Sequence, residues 1–249
     1  MSESITTRAV WRIESLCALA DHVQGQDRYR EAESLLQQAL EMTVEDDAMG
    51  PAVVGRIVGK LGALYRQAGR LSDAEASYRR ALALAGGVPV RADVDLSDRR
   101  VGREQAEHVA LAIHSLGLAG VVVTKGEYDE AEHLLRAAYA IFKELSGESS
   151  PEVATAASAL AGVLSATDRA TEAADLYREA VAIHRTVLRP GDPLLVSTLH
   201  NFALLQDSVG RPEEARALWA EAESALAGAA GTDATSGAAE ASIAAGRQR

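Results

Sequence analysis

The sequence predicts an all-α fold, a solenoid of five antiparallel helix pairs. Five copies of one segment recur along the chain, and the clearest copy, residues 126–141, reads GEYDEAEHLLRAAYAI. An alanine holds the same place in every copy, and these anchor alanines are Ala32, Ala74, Ala131, Ala173 and Ala215. The anchors recur at intervals of 42, 57, 42 and 42 residues, a period typical of stacked supersecondary units. Apolar residues three and four positions apart within the copies indicate amphipathic helices.

The five pairs are predicted at about residues 6–45, 51–86, 98–146, 151–189 and 193–227. The first helix is expected to begin near Thr6, a suitable N-cap. Three later pairs begin at a proline, which fits the first turn of a helix, and these are Pro51, Pro151 and Pro193. Five positions before each anchor lies a residue suited to the turn inside the pair. These turn residues are Asp27, Gly69, Gly126, Asp168 and Gly210.

A large apolar residue and a small one stand together thirteen and twelve positions before every anchor. The pairs are Leu19/Ala20, Leu61/Gly62, Leu118/Ala119, Leu160/Ala161 and Phe202/Ala203. A leucine or an aromatic residue follows each anchor by four positions, and an alanine follows it by seven. Large beside small allows two helices to approach closely. We therefore expect these pairs to be deeply buried, Leu160 and Ala161 among them.

Two segments depart from the repeat. An insertion of 15 residues, predicted at about 86–101, separates the second and third pairs. Its Gly86-Gly87 and Pro89 break the helix, and the part from Asp98 onward is expected to extend the next helix backward. A solvated loop is the first interpretation, and a loop that contacts a ligand or partner is the alternative. The second departure, residues 228–249, is rich in alanine and glycine and is predicted to be disordered.

Composition excludes several classes of function. The net charge is −11 and the pI is near 5.1, which argues against nucleic acid and against an anionic membrane surface as partners. One cysteine, Cys17, excludes an internal disulfide. No apolar run is expected to reach membrane-span length, and the N-terminal MSESITTR lacks the apolar core of a signal peptide. These observations predict a protein of the reducing cytoplasm.

Residues for catalysis or metal binding show no pattern. The six histidines have no ligand spacing, and no histidine lies one helical turn from Cys17. Gly117 and Gly120 fall in mid-helix, where small residues indicate packing rather than a phosphate loop. We therefore expect no enzymatic activity, no metal and no cofactor.

The repeat pattern resembles the tetratricopeptide repeat (TPR), which combines a large and a small residue in the first helix with alanine, an aromatic residue and alanine in the second. The 42-residue period resembles the longer form found in kinesin light chains and many bacterial repeat proteins. The stretch that carries it best is IHRTVLRPGDPLLVSTLHNFALLQDSVGRPEEA. The resemblance covers about residues 6–227. It implies a right-handed superhelix whose concave face, lined by the first helices, binds an extended peptide or a helix.

Positions eighteen, fifteen, eleven and eight before each anchor fall on one face of the first helices, away from the packing stripe. In the second pair this face carries the cations Arg56 and Arg66, with Lys60 next to them, and in the third pair it is apolar. The predicted groove residues are Arg56, Lys60, Arg66, Ile113, Leu116, Gly120, Val123, Ser158, His200 and Asn201. Two alternatives stay open: Glu14 and Asp21 neutralise the cations, or the insertion covers the apolar residues.

Kinesin-light-chain-like repeats carry paired asparagines that hold a peptide backbone, and Asn201 is the residue here that matches them. The function predicted from the resemblance is a non-enzymatic scaffold for a protein or peptide partner. Two alternatives are a regulatory sensor of a small molecule or peptide, and an accessory protein that holds a substrate for a partner enzyme. Self-association is left open.

Overall fold

The computed structural model describes residues 2–45, 50–85 and 101–227, and within these ranges it contains ten helices and no strand. The helices are α1 Ser2–Gln24, α2 Tyr29–Glu45, α3 Pro51–Gln67, α4 Leu71–Leu84, α5 Val101–Thr124, α6 Tyr128–Ser146, α7 Pro151–Ala166, α8 Ala170–Val187, α9 Pro193–Ser208 and α10, residues 212–227. The prediction of an all-α chain of five helix pairs is confirmed.

One helix starts earlier than predicted, and another shows the predicted extension. Helix α1 begins at Ser2, four residues before the expected N-cap Thr6. Helix α5 begins at Val101 and has 24 residues, against 17 in α3 and 16 in α7, so it does extend backward. The insertion at residues 86–100 and the tail at 228–249, with the predictions made for them, lie outside the described residues.

One backbone conformation closes all five helix pairs. The turn residue before each anchor has a positive φ, 59° at Asp27 and Asp168 and 74–79° at the three glycines. The residue after it donates its N–H to the carbonyl five positions back, as from Arg70 to Tyr65 at 2.8 Å. This is the Schellman type of helix ending, which favours glycine and tolerates aspartate in the left-handed region. The repeated glycine or aspartate therefore has a direct structural cause.

Side-chain caps fix the starts of two first helices. Ser150 Oγ accepts from the N–H of Val153 at 3.2 Å, at the start of α7. Asp192 Oδ1 accepts from the N–H of Leu194 at 2.9 Å, at the start of α9. Each cap satisfies a backbone donor that the helix itself leaves free. The helix starts predicted at Pro151 and Pro193 are confirmed.

The chain forms two compact units, residues 1–141 and 142–249, with the boundary inside α6. In the first unit, Ile57, Leu61 and Leu64 of α3 pack into the core of α1 and α2. In the second unit, Tyr177 of α8 stacks on Phe202 of α9, with ring centroids 5.7 Å apart. All five anchor alanines are fully buried. The small side chain at each anchor lets the helices of a pair approach closely.

The large/small pairs are buried in four of the five repeats, and Leu160 and Ala161 are 1% and 0% exposed. Leu19 is the exception, at 48% exposed. Leu61 holds the same repeat position and packs against the preceding pair, whereas no pair precedes α1 in the described chain. The expectation of uniform burial was therefore wrong at Leu19.

Helix α5 contains a longer apolar run than we expected. Residues Gln105–Thr124 are long and apolar enough to cross a membrane by length and composition. The expectation that no run approaches this length was therefore wrong. His114 and Ser115 are polar, but the many aliphatic residues around them keep the segment apolar on average. Helix α5 packs against α3 and α4, and Leu118, Val121 and Val122 are buried. A single such helix is weak evidence for a membrane span, since core helices meet the same criterion.

Candidate functional site

The predicted groove residues of the first unit lie on α3 and α5. Ile113 is 52% exposed, Gly120 is exposed, and Leu116 and Val123 are half-buried. We call these four residues the α5 strip. In the second unit, His200 and Asn201 are exposed on α9. Fifteen positions before the anchor the face assignment was wrong in the first two pairs, because Cys17 and Gly59 are buried, whereas Leu116, Ser158 and His200 at the same position are not.

Two of the three predicted cations are paired with the preceding helix. The Lys60 ammonium hydrogen-bonds both carboxylate oxygens of Asp21, at 2.6 and 2.7 Å. The Arg56 guanidinium lies 3.8 Å from Glu14. For these two residues the structure therefore supports neutralisation by α1, the alternative left open by the sequence.

Arg66 differs from the other two cations because it lies beside the α5 strip. A Cβ placed on Gly120 would lie 3.9 Å from Arg66 Cδ, so the aliphatic stem of the arginine borders this glycine. Burial raises the pKa of Tyr78, and the positive charge of Arg66 partly offsets this rise. Arg66 thus places a positive charge next to an exposed apolar surface.

A cleft of about 530 Å³ lies between α3 and α5 in the first unit, and we call it the α3–α5 cleft. Its wall on α3 includes Val53, Gly59 and Ala63, and its wall on α5 includes Val109, Ala110 and His114. Ala85, just after α4, also lines it, and most of its wall is apolar. Arg56, Lys60 and Glu107 bring charge of both signs to the lining.

His114 is the polar residue buried in this wall. It is 5% exposed, and neither ring nitrogen has a hydrogen-bond partner among the described residues. Burial lowers the pKa of His114, so its imidazole is neutral at pH 7. The ring packs on Gly59, where a Cβ would lie 2.2 Å from His114 Cε1. Gly59 is therefore the residue that makes space for the imidazole.

The second unit fills the same repeat positions differently. Counted from the anchors, Thr198 corresponds to His114, Ser158 to Gly59 and His184 to Ala85. Thr198 Oγ1 lies 3.2 Å from Ser158 Oγ and 3.3 Å from His184 Nδ1, and it donates to the Leu194 carbonyl at 2.7 Å. Because the hydroxyl proton goes to Leu194, His184 Nδ1 is the donor to Thr198. The predicted groove residue Ser158 thus belongs to an internal polar cluster.

Sequence reasoning missed His114 as a site residue. It lies seventeen positions before its anchor, outside the positions assigned to the groove face, and was counted only among scattered histidines. The feature of the sequence that indicates His114 is a histidine in one first helix and a glycine at the position that faces it in the neighbouring first helix. Recognising that pair requires knowing which positions of adjacent first helices meet.

The comparisons with known proteins identify the family. A family model described as tetratricopeptide repeat matches residues 108–186 and 152–227, and a second model of the same description matches residues 17–89. The chain belongs to the tetratricopeptide-repeat family. No similar sequence was found among the curated proteins.

Solved structures support the same fold. BtubC (BKLC) from P. vanneervenii is 23% identical with a TM-score of 0.74, over 91% of this chain and 84% of that one. A Podosopora anserina protein with nearly identical TPR-like repeats, assigned to the kinesin light chains, is 21% identical with a TM-score of 0.61, over 88% and 96%. The apo form of RapI is 13% identical with a TM-score of 0.67, over 90% and 73%. The resemblance to the kinesin-light-chain form of the repeat is confirmed at the level of fold.

Proposed function

We propose that this chain is a non-enzymatic scaffold that binds a protein or peptide segment on the first-helix face of residues 1–141. The observation that carries the proposal is the α5 strip, where Ile113 is 52% exposed and Leu116 and Val123 are half-buried beside Arg66. An apolar surface left open on a folded protein usually marks an interaction site. The glycine at position 120 adds room above the helix for a partner backbone.

Charge defines the partner further. A segment that lays an apolar side chain on Leu116 and Val123 brings its neighbouring residues close to Arg66, which favours an acidic group there. Arg56 and Lys60 carry solvent-accessible ion pairs to Glu14 and Asp21. Exposed pairs of this kind contribute only about 0–1 kcal/mol, so a partner carboxylate can exchange for Glu14 at Arg56. The proposed partner segment is therefore apolar and acidic.

The test uses Leu116→Asp, which places a charge at the centre of the α5 strip. A partner is first captured from native lysate with the wild-type chain, purified, and its dissociation constant measured by biolayer interferometry. We expect Leu116→Asp to abolish binding and to leave Tm nearly unchanged, because Leu116 is only half-buried. Ala76→Asp, at an exposed position of α4, is the matched control and should bind as wild type does.

A second variant separates charge from packing. Arg66→Ala should mainly slow association and reduce its dependence on salt, since rim charges steer encounter more than they hold the complex. If Leu116→Asp binds the captured partner normally, the partner contacts another surface and the proposal is wrong. If it unfolds the chain, the α5 strip is core rather than a binding surface.

A further inference from the structure

The α3–α5 cleft has the size and lining of a small-molecule site. Its volume of about 530 Å³ falls within the range of about 300–1,000 Å³ that is usual for such sites. It lies along the N-terminal parts of α3 and α5, whereas Leu116, Gly120 and Val123 of the α5 strip lie further along α5. The cleft and the proposed partner surface therefore share Ile113 and Arg56 but are otherwise separate.

Two residues that line the cleft are small where their counterparts in the second unit are larger and hydrogen-bonded. Gly59 stands where Ser158 stands in α7, and Ala85 stands where His184 stands. In the second unit, Ser158 and His184 both reach the hydroxyl of Thr198. In the first unit His114 holds the place of Thr198, and the described residues offer its ring nitrogens no partner. The polar group is present but its internal partners are not.

The chemistry of the missing partner follows from the imidazole. A neutral imidazole offers one donor and one acceptor, and a hydroxyl group can serve either nitrogen because it both donates and accepts. The second unit uses this pairing, with His184 Nδ1 bonded to the Thr198 hydroxyl. Buried polar groups in native proteins are paired with few exceptions. The His114 nitrogens are themselves buried, so a hydroxyl from outside the chain would bond one of them once the imidazole turns toward the cleft.

The other residues that line the cleft determine the polarity and charge of the rest of the ligand. Val53, Val109, Ala110 and Ile113 offer aliphatic surface. At the rim, Lys60 is bound to Asp21, and Arg56 faces Glu14, while Glu107 adds a negative charge to the lining. Charges of both signs at the rim favour neither an anion nor a cation, so the geometry favours an uncharged molecule.

We propose that the α3–α5 cleft binds a small, uncharged, largely apolar molecule that carries a hydroxyl group, with this hydroxyl hydrogen-bonded to His114. The site is additional to the partner-binding surface and does not depend on it. Its occupant is a phenol or an apolar alcohol rather than a carboxylate.

The experiment compares two probes that differ only in the hydroxyl, p-cresol and toluene, titrated into the full chain by NMR. For a probe of this size we expect a dissociation constant on the order of 1 mM for p-cresol. Toluene should bind about tenfold more weakly or below detection, which corresponds to one net hydrogen bond. The ring-nitrogen signals of His114 should shift with p-cresol, and those of His184 should stay in place.

Three variants test the assignment. His114→Leu keeps the apolar volume and removes the nitrogens, so p-cresol should bind no better than toluene. His184→Leu removes the other buried histidine and should leave the preference for p-cresol intact. Ala110→Leu fills the cleft without replacing His114 and should weaken both probes.

Three results would overturn the proposal. These are equal binding of the two probes to the wild type, no binding of either, and p-cresol binding that His114→Leu leaves unchanged. Leu116→Asp should bind p-cresol normally, so a failed partner interaction and a failed ligand site are distinguishable.

Discussion

Helices α3 and α5 of the first unit and helices α7 and α9 of the second are the same part of the repeat, yet their interiors differ. Both bury a large residue beside a small one, Leu61 with Gly62 and Leu160 with Ala161. The second region hydrogen-bonds one nitrogen of its buried histidine, His184 Nδ1, to Thr198, whereas the first leaves both nitrogens of His114 unpartnered among the described residues beside a cleft. The residues that recur in every repeat therefore determine the packing, whereas the positions between them are free to vary.

This difference shows at which positions a repeat protein can carry a binding site without disturbing the stacking of its helix pairs. Signature residues contact the neighbouring pair, and changing them disturbs stacking. Position seventeen before the anchor also faces the neighbouring first helix, but it accepts isoleucine, histidine or threonine at Ile57, His114 and Thr198. A site built at such a position keeps the stacking and gains its own polar group.

The largest effect should come from the packing that both regions share. Leu160→Ala removes a side chain that is 1% exposed, and we expect it to lower the free energy of unfolding by ~2–5 kcal/mol. Leu19 holds the same repeat position but is 48% exposed, so Leu19→Ala should cost about 0.5 kcal/mol. Urea denaturation of both variants checks the ranking, and equal costs would contradict this account of burial.

The sequence predicted those elements of the fold that repeat. The anchors, the turn glycines and the paired large and small residues each recur at one spacing, so Gly69 and Leu160 could be assigned from the pattern alone. The turn glycine is required by a positive φ, and the leucine is fixed by its burial, with Leu160 1% exposed. Local backbone geometry and stacking thus act at fixed positions, and five copies make them visible.

The candidate site could be predicted only in part, because it depends on what lies across from each residue. The sequence left open whether Lys60 is a free cation or is neutralised by Asp21, and the structure shows that Asp21 of the preceding pair binds it. Leu19 carries the signature of a buried residue and is exposed, since no described pair precedes it. His114 reads as one of several histidines, and only its contact with Gly59 shows that it lines a cleft. Contacts between different repeats do not appear in a single-repeat pattern.

Removing one polar group from each region should have opposite effects. Thr198→Val deletes the hydroxyl that pairs with Ser158 and His184, leaving the buried His184 ring without that partner, and should destabilise the chain by ~1–3 kcal/mol. His114→Leu replaces an imidazole that has no described partner by an apolar side chain, so stability should stay the same or rise. Urea denaturation without added ligand measures both. A loss of stability in His114→Leu as large as in Thr198→Val would mean that His114 has a partner after all.

The smallest effect should appear in the dependence of stability on pH. Burial lowers the pKa of both His114 and His184 below the ordinary value of about 6.5, although Asp192 partly offsets this at His184. Between the lowered folded-state pKa and about 6.5 the unfolded chain binds more protons than the folded one. The free energy of unfolding is therefore fully retained above about 6.5 and lost as the pH falls through this window. At most about 1.4 kcal/mol per histidine is lost for each pH unit.

His114→Leu removes one of the two histidines from this balance. We expect the variant to lose less stability than the wild type between pH 7.5 and pH 5.5, by about 1 kcal/mol. All other titrating groups are common to both chains, so the difference between their urea-denaturation curves isolates His114. Because Asp192 favours the protonated form of His184, His184→Leu should remove a smaller part of the dependence. Parallel curves for wild type and His114→Leu would show that His114 takes up its proton in the folded chain as readily as in the unfolded one. Its imidazole would then be hydrated rather than buried against Gly59.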